Sequence, residues 1–62
     1  MNVLVTGAAG YIGRIVARDL AQHHQVRGVD MRPMSALEDH RVIDLNDYDE
    51  IYDALEGIDA IA

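Results

Sequence analysis

The sequence predicts an α/β fold in which the strands of one parallel sheet alternate with helices along the chain. Three observations support this prediction. Short apolar runs rich in valine, leucine and isoleucine recur, segments with helical spacing lie between them, and a glycine-rich turn joins the first run to the first helix. The order β-α-β-β-α-β with right-handed crossovers then gives a doubly wound sheet with the strand order 3-2-1-4.

The first half of the chain is predicted to hold a strand, a helix and a second strand. Val3, Leu4 and Val5 form an apolar run that favours a buried parallel strand over residues 2–6. The helix is predicted from residue 11 to about residue 22, and the second strand over residues 25–30. The helix has an apolar face formed by Ile12, Ile15, Val16 and Leu20, and an opposite polar face formed by Arg14, Arg18 and Gln22.

The second half of the chain is predicted to continue with a loop, a strand, a helix and a last strand. The loop covers residues 32–39, with room for one helical turn after Pro33, and the third strand covers residues 41–45. Asn46 or Asp47 caps a second helix that runs to about residue 56, and Gly57 follows it at the C′ position. A fourth strand begins at residue 58. The apolar stripe of the second helix is formed by Tyr48, Ile51, Leu55 and Ile58.

The turn between the first strand and the first helix carries glycine at three positions with the spacing G-x-x-G-x-x-G. Gly7 allows a tight turn, Gly10 lets a ligand approach the backbone, and Gly13 lets the helix pack closely on the sheet. The N–H groups of Tyr11 and Ile12 lie in the first helical turn and are natural phosphate donors. In this strand-turn-helix context the spacing predicts a site for the pyrophosphate of a dinucleotide, and a plain glycine-rich turn is the alternative.

Two charged residues at the end of the second strand bear on which dinucleotide binds. Asp30 stands 17 residues after Gly13. A carboxylate there can accept hydrogen bonds from the adenosine ribose hydroxyls and repels a 2′-phosphate, which favours NAD over NADP. Arg32 favours the opposite choice, because its guanidinium could contact a 2′-phosphate. NAD is the expected cofactor because the charge of Asp30 lies at the hydroxyl itself, and an ordinary turn residue is the alternative for Asp30.

Other candidate sites are weaker. His23 and His24 are neighbours at a helix end and point in different directions, so they are expected to close the helix rather than to bind a metal. The acidic second helix does not fit a calcium loop, because Tyr48 stands where an oxygen ligand belongs and Asp49 stands where glycine belongs. The sequence therefore predicts no metal site.

Charge and composition argue against several classes of partner. The 62 residues include eleven acidic residues, five arginines and no lysine, for a net charge of −6. Nucleic acids and membrane surfaces both favour basic clusters, so neither is expected. No apolar run approaches the roughly 20 residues of a membrane span, and no signal peptide is recognisable. The absence of cysteine fits a reducing cytoplasm, which is the predicted location.

The length of the chain permits one small domain at most. A domain of this size buries only about 60% of its unfolded surface, and this chain has no cysteine for a stabilising disulfide. The last residues resemble a strand that has just begun. We therefore expect residues 1–62 to be the N-terminal part of a longer dinucleotide-binding domain that is cut at its fourth strand.

These motifs resemble the extended short-chain dehydrogenase/reductases, also called the NAD-dependent epimerase/dehydratase family. The resemblance covers the whole chain and rests on the glycine spacing, on Asp30, on Asp44 and Leu45 after the third strand, and on residues 57–61 at the fourth. It implies a Rossmann-type sheet. It also implies that the Asp44 carboxylate bonds the adenine amino group and that the backbone of Leu45 assists. An acid near the helix cap is the alternative for Asp44.

The resemblance also implies an oxidoreductase, epimerase or dehydratase that acts on a sugar or nucleotide-sugar by hydride transfer, with a sugar-acid dehydrogenase of the uronate type weakly favoured. The family's catalytic tyrosine is followed four residues later by lysine. Here only Tyr48 and Tyr52 have that spacing and there is no lysine, so the catalytic residues are expected beyond residue 62. The full-length protein is expected to bind a small-molecule dinucleotide and could form a homodimer. A non-catalytic redox sensor or scaffold and an independent nucleotide-binding fragment stay open as alternatives.

Overall fold

A parallel sheet forms the centre of the computed structural model, which describes residues 1–33 and 39–62. Its strands are β1 (Asn2–Thr6), β2 (Gln25–Asp30), β3 (His40–Val42) and β4 (Ala60–Ile61). Helix α1 (Tyr11–Leu20) connects β1 to β2, and helix α2 (Tyr48–Ala54) connects β3 to β4. The strand order within the described residues is β3-β2-β1-β4, which confirms the predicted doubly wound order 3-2-1-4.

The parallel pairing sets where a ligand can approach the sheet. β1 pairs with β2 on one side and with β4 on the other, and β2 pairs with β3. Because every pair is parallel, the strands end at the same edge of the sheet. The segments that follow Thr6, Asp30 and Val42 leave the sheet there, and we call this the carboxyl edge.

The core has two halves, one on each face of the sheet. Successive residues of β1 point to opposite faces, and three of them are buried, as the predicted parallel strand requires. The half beneath α1 consists of Val3, Val5, Ala8 and Ala17, with Leu20 and Val26 packed against it. The half beneath α2 consists of Leu4, Val29, Ile43 and Ala54, with Ile51, Leu55 and Ile58 packed against it.

Helix α1 ends at Leu20, two residues before the predicted end, and its packed face also differs from the prediction. Leu20 packs against the core as expected, Val16 is partly buried, and Ala17 is buried. Ile12 and Ile15, however, are 68% and 50% exposed, so the prediction that they join the packed face is wrong. The apolar arc of this helix is wider than the strip that contacts the sheet.

Helix α2 has Asp47 as its N-cap, one of the two residues that the sequence predicted for this position. The Asp47 carboxylate oxygen Oδ1 accepts the N–H groups of Asp49 at 3.1 Å and Glu50 at 3.3 Å, so Asp47 rather than Asn46 is the N-cap. The helix ends at Ala54 with Leu55 as its cap, before the predicted end near residue 56. Gly57 follows with a φ of +77°, the left-handed conformation expected of glycine after a helix.

The packed stripe of α2 is shifted from the predicted one. Ile51, Leu55 and Ile58 are partly buried as predicted, but Tyr48 is 75% exposed and does not belong to the stripe. Its place is taken by the buried Ala54. Tyr48 stands in the first helical turn, before the helix closes on the sheet, so its ring extends into solvent.

Two arginines on the sheet bind the carboxyl end of α2. The Arg27 guanidinium donates through Nη1 to the carbonyls of Ala54 and Glu56, both at 2.8 Å, and through Nε to Asp39 Oδ2 at 3.0 Å. Arg41 donates to the carbonyl of Asp53 at 2.9 Å. Helix α2 carries no basic residue in its own last turn. The positive charge that suits this helix end therefore comes from β2 and β3.

The outer strands β3 and β4 are shorter than predicted. β3 covers His40–Val42 instead of residues 41–45, because the chain turns at Asp44, whose carbonyl accepts the Asp47 N–H at 2.9 Å. β4 covers Ala60–Ile61 instead of residues 58–62, but Ala62 still exchanges backbone hydrogen bonds with β1. The helical turn predicted after Pro33 lies outside the described residues.

Candidate functional site

The predicted site residues all lie at the carboxyl edge of the sheet. The glycine turn follows β1, Asp30 ends β2 and is followed by Arg32, and Asp44 and Leu45 follow β3. Asp30 is hydrogen-bonded to the glycine turn and to Arg32, and the Arg32 guanidinium lies beside Gly10. Asp44 and Leu45 lie at the same edge, but the described hydrogen bonds of Asp44 connect it to its own turn and to α2.

Two of the glycines in the turn have a clear steric reason to be glycine. Gly7 has a φ of +64°, which an L side chain rarely adopts, and its carbonyl accepts the Gly10 N–H at 3.0 Å. A Cβ at Gly13 would lie 2.0 Å from the Gly7 carbonyl oxygen and 2.7 Å from its carbon. The start of α1 therefore packs directly on the backbone of the turn. The sequence predicted close packing of the helix on the sheet at Gly13, whereas the close contact that the structure has there is with the turn that follows β1.

The amino end of α1 is open toward the carboxyl edge. Gly10 is its N-cap, and the first bond of the helix runs from the Arg14 N–H to the Gly10 carbonyl at 3.0 Å. The N–H groups of Tyr11 and Ile12 precede that bond, so no carbonyl of their own helix can accept them. The N-cap has no side chain to cover these donors. The arrangement forms a cradle with a positive dipole end, which suits an anionic group.

Asp30 is the one charged side chain in the buried core of the described residues, at 7% exposure. Its Oδ1 accepts the Arg32 N–H at 2.9 Å, and its Oδ2 accepts the Ala9 N–H at 3.1 Å. The Arg32 N–H lowers the pKa of Asp30 most, burial acts in the opposite direction, and the Ala9 N–H and the Arg32 charge add to the lowering. The net shift is downward, so this carboxylate is ionised at neutral pH and accepts hydrogen bonds only.

Arg32 lies across the glycine turn while its side chain remains largely in solvent. The guanidinium Nε is 3.5 Å from Asp30 Oδ1, and the Arg32 side chain is 66% exposed. Its Nη2 would lie 3.4 Å from a Cβ added at Gly10. Because the ion pair is long and solvated, it adds little to stability, and the guanidinium can move toward a nearby ligand.

Asp44 and Leu45 form the third part of the carboxyl edge. Asp44 Oδ1 accepts the Asn46 N–H at 2.9 Å, and the Asp44 N–H donates to Glu50 Oε2 at 2.8 Å. These bonds hold the turn between β3 and α2, which is the structural role considered as the alternative for Asp44. Leu45 covers an apolar hollow of about 120 Å³ between α2 and the ends of the strands, lined also by Thr6, Val29, Ile43 and Ile61.

Sequence reasoning missed the role of the two alanines in the glycine turn. The Ala8 N–H donates to the Val29 carbonyl at 3.2 Å, and the Ala9 N–H donates to the Asp30 carboxylate. These bonds attach the turn to the end of β2. Their donors are backbone groups, which residue type does not reveal. The small size of both residues was the only signal available in the sequence.

The residues considered as metal ligands do not form a metal site in the described part of the chain. His23 and His24 are exposed in the turn after α1, where both N–H groups donate to the Leu20 carbonyl. Across residues 1–33 and 39–62, no group of three or more histidine, aspartate or glutamate side chains is placed to hold a metal ion. Within the same ranges, neither helix has the length and apolar character needed to cross a bilayer.

The strand order, the glycine turn and the carboxylate that ends β2 define a Rossmann-type α/β domain of the dinucleotide-binding class. Comparison with known proteins specifies this class further. Residues 3–62 match the family model of the NAD dependent epimerase/dehydratase family, and the chain belongs to this family. The resemblance inferred from the motifs is thereby confirmed.

Two relatives illustrate the match. The chain is 37% identical over 60 residues to an L-arabinose 1-dehydrogenase (NAD(P)(+)) from Haloferax volcanii, a stretch that covers 97% of this chain and 23% of the relative. It also matches the crystal structure of a short-chain dehydrogenase/reductase superfamily protein from Agrobacterium tumefaciens with bound NAD. There the identity is 39% and the TM-score 0.89, and the match covers 98% of this chain and 19% of that one. The chain thus spans about a fifth of the length of these relatives.

Proposed function

We propose that this chain binds the adenosine diphosphate half of NAD and forms the N-terminal part of the cofactor domain of an NAD-dependent oxidoreductase. One observation carries the proposal. A buried, ionised carboxylate, Asp30, lies in direct contact with a glycine turn that opens the amino end of α1. Anionic pyrophosphate suits the helix end, and ribose hydroxyls suit the carboxylate, so the two groups fit one ligand.

The described residues have distinct roles in this proposal. The N–H groups of Tyr11 and Ile12 donate to the pyrophosphate, and Gly10 lets it approach because a side chain there would project into the turn. Gly7 and Gly13 hold the turn in shape. Asp30 accepts from the ribose. Each carboxylate oxygen can accept more than one hydrogen bond, so Oδ2 retains an acceptor position beside the Ala9 N–H.

Asp44 and Leu45 are proposed to hold the adenine at the other side of the edge. Asp44 Oδ1 accepts the Asn46 N–H, and the residue is exposed, which supports the proposal that its second carboxylate oxygen accepts the adenine amino group. Leu45 adds apolar surface beside it. Both assignments rest on the family resemblance together with this position at the carboxyl edge.

The proposed preference for NAD over NADP follows from the different settings of Asp30 and Arg32. Asp30 is buried, ionised and fixed by backbone hydrogen bonds, so its charge opposes a 2′-phosphate at close range. The Arg32 side chain is largely exposed, so its charge can still attract such a phosphate, and the relative from Haloferax volcanii is named for both cofactors. We therefore expect a preference rather than an exclusion.

Titration calorimetry on the protein made from its complete reading frame tests this preference. We expect NAD to bind at least about tenfold more tightly than NADP, because a charge repulsion of this kind is worth more than one factor of ten. Arg32→Met should weaken NADP binding further and leave NAD binding within about twofold. Arg18→Met, on the solvent side of α1, is the matched control and should change neither. Tighter binding of NADP than of NAD by the wild type would contradict the proposed cofactor.

The chemistry of the complete protein is proposed from its relatives. Bound NAD supplies a hydride acceptor, and the residues of this chain hold its adenosine end and orient the rest of it along the carboxyl edge. A sugar or nucleotide-sugar is the proposed substrate, supported by the arabinose dehydrogenase. That relative also supports an enzyme over a non-catalytic sensor. We further propose catalytic residues outside these 62 residues, a cytoplasmic location and a homodimer for the complete protein.

A further inference from the structure

Asp30 makes a contact that recognition of a ribose does not require. Its Oδ2 accepts the N–H of Ala9, in the middle of the glycine turn, at 3.1 Å. A carboxylate whose only task was to bind hydroxyls would not need to contact the turn that precedes α1. The Asp30 side chain is 8% exposed, so this hydrogen bond is shielded from water and holds a charged acceptor.

The same carboxylate also binds the segment that follows β2. Asp30 Oδ1 accepts the Arg32 N–H at 2.9 Å, and the Asp30 carbonyl accepts the Ile43 N–H at 3.0 Å. The side chain therefore joins the glycine turn to the segment that leaves β2. The Ala8 N–H, bound to the Val29 carbonyl, is the only other described backbone hydrogen bond from the turn to β2. Within the described residues, two adjacent hydrogen bonds thus attach the turn to β2, and one of them ends on a side chain.

We infer that Asp30 is a positioning residue for the phosphate-binding turn as well as a ligand of the ribose. This inference rests on the proposed function, since it concerns the same site. The Ala9 N–H is oriented inward by the carboxylate, and the residues that follow it lead directly into the N-cap of α1. Loss of the carboxylate should therefore weaken the binding of a pyrophosphate ligand even when that ligand has no ribose hydroxyls.

The substitution Asp30→Asn separates these two roles. The amide retains one oxygen, so an NH₂ group must face either the Ala9 N–H or the Arg32 N–H, and one donor loses its acceptor. The ligands are ADP and 2′,3′-dideoxy-ADP, which keeps the pyrophosphate and lacks both ribose hydroxyls. The affinity of each for the protein made from its complete reading frame is measured by calorimetry.

We expect Asp30→Asn to weaken the binding of 2′,3′-dideoxy-ADP by about tenfold, because binding must then order a turn that has lost a hydrogen bond to a charged group, and to weaken the binding of ADP by a larger factor. Asp59→Asn is the matched control. Asp59 also accepts a backbone N–H, from Asn2 at 2.8 Å, but at the opposite edge of the sheet. That variant should bind both ligands like the wild type. Wild-type binding of the dideoxy ligand by Asp30→Asn, with ADP alone weakened, would overturn the inference.

Hydrogen exchange in the ligand-free wild type provides a second measurement that needs no variant. We expect slow exchange of the Ala9 amide hydrogen, because it is bound to a buried carboxylate. Exchange at the rate of an unprotected loop would overturn the inference even if Asp30→Asn failed to fold. If the wild type bound neither ADP nor NAD, the proposed function would fail instead, and the Ala9 measurement would still report whether Asp30 holds the turn.

Discussion

Replacing Gly13 with alanine is expected to destabilise the domain by about 3 kcal/mol or more, at the upper end of the range for overpacked sites. The added Cβ would lie 2.0 Å from the Gly7 carbonyl oxygen and 3.2 Å from the Ala8 Cα, both of which are backbone atoms. No side-chain rotation relieves such a contact, so α1 or the turn must move. Because the same atoms shape the proposed phosphate cradle, NAD affinity should fall by at least about tenfold. Thermal unfolding and calorimetry on the complete protein measure both effects.

Gly57→Ala is the matched control for Gly13→Ala. Gly57, unlike Gly13, has a left-handed φ of +77°, and a Cβ there would meet no atom within 4 Å. The cost of about 1–2 kcal/mol is then one of backbone strain alone. Gly57 follows α2, remote from the glycine turn, so the folded variant should bind NAD like the wild type. Equal loss of stability and unchanged NAD affinity in both variants would contradict the importance of the Gly13 contact.

Replacing Arg27 with methionine should destabilise the domain by about 2–4 kcal/mol, because three hydrogen bonds that involve a charged group, one of them part-buried, lose their donor. The methionine retains most of the apolar stem. It leaves the Ala54 and Glu56 carbonyls without the guanidinium, and it removes the partner of Asp39. The side chain of Arg27 is 18% exposed, so water can replace these bonds only in part. Denaturant unfolding of the complete protein gives the change in free energy.

Arg41→Met serves as the comparison for Arg27→Met. Arg41 donates one described bond to the same helix end, to the Asp53 carbonyl, from a shorter strand. Its loss should cost about 1 kcal/mol, the usual net value of one hydrogen bond. Cofactor affinity should be unchanged in both variants, since the carboxyl end of α2 is not part of the proposed site. A larger loss of unfolding free energy for Arg41→Met than for Arg27→Met would show that the three bonds of Arg27 do not hold α2 in place.

Much of the fold followed from the sequence because its signals are local. The valine-rich run of β1, the alternation of strands and helices, and the glycine turn predicted the strand order that the structure has. The glycine spacing predicts that α1 begins in close contact with its surroundings, and a Cβ at Gly13 would overlap the Gly7 carbonyl. The turn and the individual strands and helices depend on neighbours in the chain, and the strand order follows from their sequence through the right-handed crossover rule.

The features that sequence reasoning missed depend on distant contacts. Ile12 and Ile15 match a helical apolar face, but the sheet covers only part of that face. Nothing in the sequence near Arg27 indicates that it binds the end of a helix about 27 residues further along. The bond between Ala9 and Asp30 likewise joins residues 21 positions apart through a backbone donor. Such contacts are set by how the elements pack and not by residue pattern.

An amide-resolved NMR titration of the complete protein with ADP tests most directly whether the glycine turn and Asp30 together bind the adenosine diphosphate half of NAD. We expect the largest shifts at the amides of Ala9, Tyr11 and Ile12 and near Asp30, with little change around Asn2 and Gly57 at the opposite edge. Binding of ADP with shifts confined to other parts of the protein, and none in the glycine turn, would contradict this expectation.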